Sequence, residues 1–380
     1  MGVSINPICG AHDHAMLLAH ELESDGASCT THWLTRSERS LRGSRTEIHA
    51  WLERLAEELR DSGADVVLLH YSVFSYAHAG VPLFVRPLAS VLRRTGIPTI
   101  AVLHEIAYSW NSAGARGKVW ALTQRAAFVE VMRVSAAALV TTDARAQWIG
   151  SRRWLPKRPL AVAPVFSNLP APSVASARSA APASSGTSGV KRTGETVGLF
   201  GYAYDDAATP LVLDALRRLV DERGETRLLL LGAPGGESPA ALRWRAAAQA
   251  RGLADALSFS GRLSAQELSN ALASCEVLLF VASAGPSSRK GTLAASLAAG
   301  RPVVAVDGPN RWEELARSDA ALIVKPTAEA LAAAVGGLLA DEAKREALGS
   351  RSHAFSRERM GVARTAEAVS ELTKGLASRA

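Results

Sequence analysis

Ser287, Ser288, Arg289 and Lys290 stand in a row at the mouth of a predicted helix. The stretch from Ser283 to Gly308 reads as three parts: a loop, a small-residue helix over Thr292–Ala299 and, after Gly300, a buried-type strand over Pro302–Val306. A loop that opens directly into a helix presents backbone N–H groups and the positive end of the helix dipole to one point. Arg289 and Lys290 add full charges there, and Ser287, Ser288 and Thr292 add hydroxyl donors. That chemistry suits an anion, above all a phosphate. The same residues also suit an ordinary connection with two solvated cations.

A second kind of chemistry sits earlier in the chain. His70, followed by Tyr71, closes the apolar run DVVLLH, and His104, followed by Glu105, closes IPTIAVLH. A histidine placed directly after several apolar strand residues belongs at a sheet edge. It titrates near neutrality and can hold a sugar hydroxyl or move a proton. Two glycine-bearing loops also follow predicted strands. Asn6–His14 (NPICGAHDH) carries Gly10 and His12 at a helix start, and Gly198–Asp206 (GLFGYAYDD) carries Gly201 and Tyr202 as a second phosphate or acceptor contact. G-x-G-x-x-G, P-loop, H-E-x-x-H and G-x-S-x-G motifs are all missing, as is any Cys/His zinc spacing. The spacing therefore implies no protein-bound metal.

The elements that position these residues alternate regularly. In the first half, strands are predicted at Val3–Ile8, Asp65–His70, Ile97–His104, Ala136–Thr142 and Pro159–Val165. Helices are predicted at His12–Asp25, Thr46–Ser62 and Val81–Thr95. Residues 169–194 are almost all Ala, Ser, Pro and Gly and read as a linker, with Lys191, Arg192 and Gly194 as its hinge. The second half restarts the pattern from Thr196. Its last helix covers Thr327–Leu339, and a helical tail from about Ala343 has one break near Gly349. Strands apolar on both faces, separated by helices, indicate parallel sheets covered on both sides. The expected division is 1–168, linker 169–194, 195–352, and a terminal helix 353–380 packing back on the first domain. Two such domains are expected to face each other across a cleft lined by strand ends, where ligands of open α/β sheets sit.

Composition bounds the setting. The 380 residues hold three scattered cysteines, Cys9, Cys29 and Cys275, which implies a reducing compartment without disulfides. No apolar stretch is long enough for a membrane span, and the first ten residues do not resemble a signal peptide, so a cytoplasmic protein is expected. The net charge of +7 is concentrated: residues 116–158 hold nine cations against two anions. Trp120, Trp148 and Trp154 are interleaved with them, and Trp110 lies just before. Basic residues with tryptophans suit an anionic membrane surface. They equally suit a solvated helix face over core tryptophans, and suit nucleic acid least, so no nucleic-acid partner is expected.

The residues resemble the GT-B glycosyltransferases of family 4, the retaining nucleotide-sugar enzymes. The likeness runs through DVVLLHYSVFSYAHAGVPL, TGIPTIAVLHE, VTTDARAQWI and VAPVFSN in the first half. It continues through LLLLGAPG, LSFSGRLSAQELSNALASCEVLLFVASAG and LAAGRPVVAVDG in the second. It implies two Rossmann-like domains, a nucleoside diphosphate sugar as co-substrate and no other cofactor. The acceptor is then a glycan, a lipid-linked molecule or a small molecule; peripheral contact with the inner face of a membrane is the expectation raised by the basic, tryptophan-bearing segment. It further implies Gly261, Arg262 and Leu263 beside the nucleotide base, and Gly201, Tyr202, Ser287, Ser288, Gly291 and Thr292 on the donor. His104, Arg289 and Lys290 become the catalytic residues, and Gly10, His12, His70, Tyr71 and Glu105 the acceptor side. One departure stands out. The family places two glutamates eight residues apart before its A-x-G-x-P-V-V strand, and Ser287 and Ala295 occupy those positions here. Loss of both carboxylates keeps open the alternative of a catalytically silent partner subunit.

Overall fold

The computed structural model describes residues 1–6, 9–107, 110, 114–173, 195–203 and 208–378. They form two units, one of Met1–Pro164 with Val362–Ala380, the other of Val165–Gly361. The first contains β1 (Gly2–Ser4), α1 (Gly10–Ser24), β2 (Trp33–Thr35), α2 (Leu41–Asp61), β3 (Val67–Ser72), α3 (Val85–Thr95), β4 (Thr99–Glu105), α4 (Gly114–Val134), β5 (Ala137–Val140), α5 (Asp143–Ser151) and β6 (Leu160–Val162). Its six strands are all parallel, in the order β2-β1-β3-β4-β5-β6.

The second unit contains β7 (Thr196–Phe200), α6 (Ala208–Arg223), β8 (Arg227–Leu231), α7 (Pro239–Gln249), β9 (Leu257–Gly261), α8 (Ala265–Ala273), β10 (Val277–Phe280), α9 (Gly291–Ala298), β11 (Val303–Val306), α10 (Glu313–Arg317), β12 (Leu322–Val324), α11 (Ala328–Leu339) and α12 (Glu342–Arg359). Its strands are again all parallel, ordered β12-β11-β10-β7-β8-β9. The last helix, α13 (Val362–Ala377), packs on α1, β5 and β6 of the first unit.

The sheets form where apolar strands can be buried on both sides. In β8, Leu228 and Leu230 enter one core cluster while Leu229 and Leu231 enter the other; Val277/Leu279 and Leu278/Phe280 of β10 divide the same way. Successive strand side chains point to opposite faces, so a continuous apolar run fills two cores at once. In the first unit Ile48, Leu52, Leu55 and Leu59, at helical spacing, turn α2 onto the core that also receives Leu69 and Leu103.

Several boundaries differ from the sequence expectation for local reasons. The Ser40 hydroxyl accepts the Gly43 N–H at 3.0 Å, so α2 begins before Thr46. The break in the tail falls at Met360–Gly361, and Gly349 lies within α12. A Cβ at Gly349 would come 2.5 Å from the carbonyl oxygen of Gly300, so this glycine serves close approach to the end of α9. Of the expected linker, residues 170–173 lie along α8, where Ser269 donates to the Pro170 carbonyl and Ser173 N–H donates to Asn270. Residues 174–194, with Lys191, Arg192 and Gly194, lie outside the described residues. No helix among the described residues is long and apolar enough to cross a membrane.

The loops after β10 and β11 are joined backbone to backbone. Gly285 has φ +82° and a Cβ there would come 2.7 Å from Gly308 N, while a Cβ at Gly308 would collide with Gly285 N. Gly308→Ala is therefore expected to destabilise the protein by about 2–3 kcal/mol. Urea unfolding measures this, and a loss under about 0.5 kcal/mol, the range of neutral surface changes, would show that the loops are free to separate.

Candidate functional site

Each sheet has a point where neighbouring strands send their connections to opposite sides. Ligands of open α/β sheets sit outside the carboxyl ends of the strands at such points. In the second unit the point lies between β7 and β10. Gly201 and Tyr202 follow β7, and the loop from Val281 to Lys290 follows β10.

That loop is held from several directions. Asn310 N–H donates to the Ala284 carbonyl at 2.7 Å, Trp312 N–H to Pro286 at 2.7 Å, and Val165 N–H to Ser288 at 2.8 Å. Lys290 N–H donates to Ser287 at 3.0 Å, which turns the chain into α9. Ser287 and Ser288 are buried, while Arg289, Lys290 and Thr292 are half-buried and Gly291 is exposed. Lys290 occupies the N-cap position of α9, and its own side chain does not cap that terminus. The loop, the helix N-terminus and the two adjacent cations that the sequence suggested therefore fall together. Gly261, Arg262 and Leu263 form the exit of β9 into α8, whose start is closed by a Ser264–Glu267 capping box. Arg262 is exposed, and Leu263 packs against the core.

Tyr202 is not available to a ligand through its ring. It is buried against Trp244 and Phe259, and its hydroxyl exchanges hydrogen bonds with the backbone of Gly235 at 3.3 Å. The positions of the two missing glutamates are also interior: Ser287 is 6% exposed and Ala295 4%.

In the first unit the switch point lies between β1 and β3. His70 near the end of β3 and His104 at the end of β4 meet there, with Nδ1 of His70 3.1 Å from Nε2 of His104. His14, on α1 directly after β1, closes the group with its ring 5.1 Å from that of His104 and 5.7 Å from that of His70. Sequence reading passed over His14, whose signal was its place in the second turn of the helix that follows β1. Burial holds His14 and His70 well below the usual histidine range, with the neighbouring His104 acting in the same direction. Burial and then the Arg145 guanidinium bring His104 down to about 4. All three are neutral at neutral pH.

The remaining residues separate. Gly10 opens α1 and His12 stacks edge-on against Trp33 at 4.8 Å, both on the same rim. Tyr71 is corrected to the core: it is fully buried, stacked on Tyr76, and faces away from His70 as strand alternation requires. Glu105 pairs with Arg145 at 3.2 Å. Arg145 Nη1 also donates to the carbonyls of His104 at 2.7 Å and Leu103 at 3.3 Å, so this arginine ties down the end of β4.

Comparison with known proteins fits this geometry. Residues 194–341, which include the loop before α9, match the family Glycosyl transferases group 1. No curated protein sequence matches the chain. Among solved structures, sucrose-phosphate synthase from Thermosynechococcus elongatus is similar over 100% of this chain and 99% of its own, at 15% identity and a TM-score of 0.67. HepE from Anabaena, solved with UDP, is similar over 98% and 99%, at 14% identity and 0.66. A glycosyltransferase from Rickettsia africae is similar over 100% and 98%, at 12% identity and 0.67. The chain has the GT-B fold, and residues 194–341 in its second unit match the glycosyl transferases group 1 family.

Arg145→Ala strands two backbone carbonyls and a carboxylate at the end of β4. It is expected to cost about 2–3 kcal/mol, with Arg145→Lys recovering only part because a point charge cannot span the three acceptors. Chemical denaturation tests this, and a lysine variant equal to the wild type would show that charge alone matters.

Proposed function

We propose that the protein transfers a sugar from a nucleoside diphosphate donor to a hydroxyl of a glycan, lipid-linked or small-molecule acceptor, with retention at the anomeric carbon. The observation that carries this reading is the fixed loop Ser287–Lys290 at the N-terminus of α9, set at the switch point of the second sheet. As the glycosidic bond breaks, negative charge grows on the leaving diphosphate. Preorganised donors aimed at that charge stabilise the transition state more than the ground state. Arg289 offers a planar fork to phosphate oxygens, Lys290 a point charge, and the first N–H groups of α9 the dipole end. In the first unit, the neutral imidazole of His104 offers a hydrogen bond to a sugar or acceptor hydroxyl.

Arg289→Ala and Lys290→Ala are each expected to lower turnover by roughly 10²–10³-fold with unchanged unfolding behaviour. His104→Ala is expected to lower turnover while nucleoside diphosphate affinity holds. Release of nucleoside diphosphate from a panel of nucleotide sugars reads all three, and NMR of the product reads its anomeric configuration. Near-wild-type turnover in both cation variants would reject the loop's role. Donor binding without any turnover would favour the silent subunit.

The same reading includes an anionic lipid surface as a docking partner, supported by the outer side of α4 and the segment after α5. Lys118, Val119 and Leu122 are exposed on α4, Leu122 by 60%, and Arg152, Arg153 and Trp154 are exposed together. Not every member of the basic segment contributes. Trp148 packs against the core, and Arg158 is engaged with the carbonyls of Met132 and Arg133 at the end of α4. Lys118→Glu with Arg153→Glu removes about 1 kcal/mol of membrane attraction per residue or more. The pair is expected to weaken sedimentation with phosphatidylglycerol vesicles at least about tenfold, with activity on a soluble acceptor retained. Wild-type protein that ignores such vesicles at low salt would remove the membrane from this reading.

A further inference from the structure

The three histidines of the first unit have a geometry that hydroxyl recognition does not require. One ring nitrogen from each of the three lies within 4.8 Å of those from the other two. Two nitrogens bound to one tetrahedral zinc ion stand about 3.3 Å apart, and His70 Nδ1 and His104 Nε2 are already 3.1 Å apart. Bringing His14 to the same span takes a shift of at most about 1.5 Å, which a side-chain rotation provides. The backbone beneath is rigid. His70 is in register with Gly2 of β1 and Val102 of β4, so the strands that carry or precede the ligands are joined in one ladder. Ligands mounted on such elements are preorganised.

The chemistry of the set is equally specific. A metal ligand must be the neutral imidazole with a lone pair, and each of the three rings carries a nitrogen within reach of the other two. Arg145, whose Nη1 donates to the backbone carbonyl of His104, is also engaged by the carboxylate of Glu105 and the carbonyl of Leu103. An all-nitrogen set selects first-row transition ions over magnesium and calcium, which take oxygen.

We propose that His14, His70 and His104 bind one divalent transition metal ion, zinc or a chemical equivalent such as cobalt, through three imidazole nitrogens. Three protein ligands leave a fourth position for water or for an oxygen of a bound molecule, the ligand count of open rather than closed zinc sites. The proposal stands independently of sugar transfer. The absence of metal-binding spacing in the sequence does not bear on it, because the ligands come from α1, β3 and β4.

The test uses full-length protein without a histidine tag, stripped with a chelator and then dialysed free of it. Calorimetric titration with Zn²⁺ is expected to show one equivalent per chain with a Kd below about 1 μM. Co²⁺ is expected to give the visible absorption of a four- or five-coordinate nitrogen site. His14→Ala and His70→Ala should each weaken zinc at least roughly 100-fold and abolish the cobalt bands. His20→Ala, exposed on the same helix, should leave both signals unchanged. Circular dichroism checks folding, and His14→Gln replaces an alanine variant that does not fold. Wild-type protein without stoichiometric binding, or binding that survives in both histidine variants, would overturn the proposal.

Discussion

All twelve strands among the described residues run parallel to their neighbours within their sheets, and the rest of the molecule depends on that constraint. A parallel sheet gathers the carboxyl ends of its strands on one edge, and the crossover helices that parallel pairing demands start from the same edge. Polar residues excluded from the two apolar faces collect there. In the second unit the gathering yields cations and a helix N-terminus, and in the first it yields three neutral imidazoles. The two collections are electrostatically unlike, one suited to anions and the other to hydroxyls or a metal ion.

The alternation of apolar runs and helical periods made the two sheets legible before any coordinate. The sequence places strands at Thr196–Phe200, Arg227–Leu231 and Leu257–Gly261 and a helix at Ala265–Ala273, and β7, β8, β9 and α8 fall on those residues because glycines or Ser264 bound them. β2, β12 and the long helix α4 escaped the sequence reading. Gly349 was read as a helix breaker because close approach to Gly300 is a tertiary fact.

The candidate site was legible in the same proportion as it is local. Ser287 to Thr292 form a contiguous segment, so their chemistry could be read directly. His70 and His104 could be read as strand ends, but their meeting with His14 depends on strand order. Arg145 was missed for the same reason: its partners are the carbonyls of Leu103 and His104, and a carbonyl carries no sequence signature. Tyr71 and Tyr202 were misplaced because adjacency in sequence is not adjacency on a strand face. His70 and Tyr71 point opposite ways, and Tyr202 turns into the core beside Trp244.

The central claim is that the loop before α9 is built for a diphosphate. The direct measurement is a calorimetric titration of the wild-type protein with a panel of nucleoside diphosphates, the corresponding monophosphates and the free nucleosides. The account expects one diphosphate to bind at least roughly tenfold more tightly than its monophosphate, since a second phosphate adds charge-assisted hydrogen bonds worth about 1.5 kcal/mol or more. A protein that binds no diphosphate, or binds monophosphate and diphosphate equally, would contradict it.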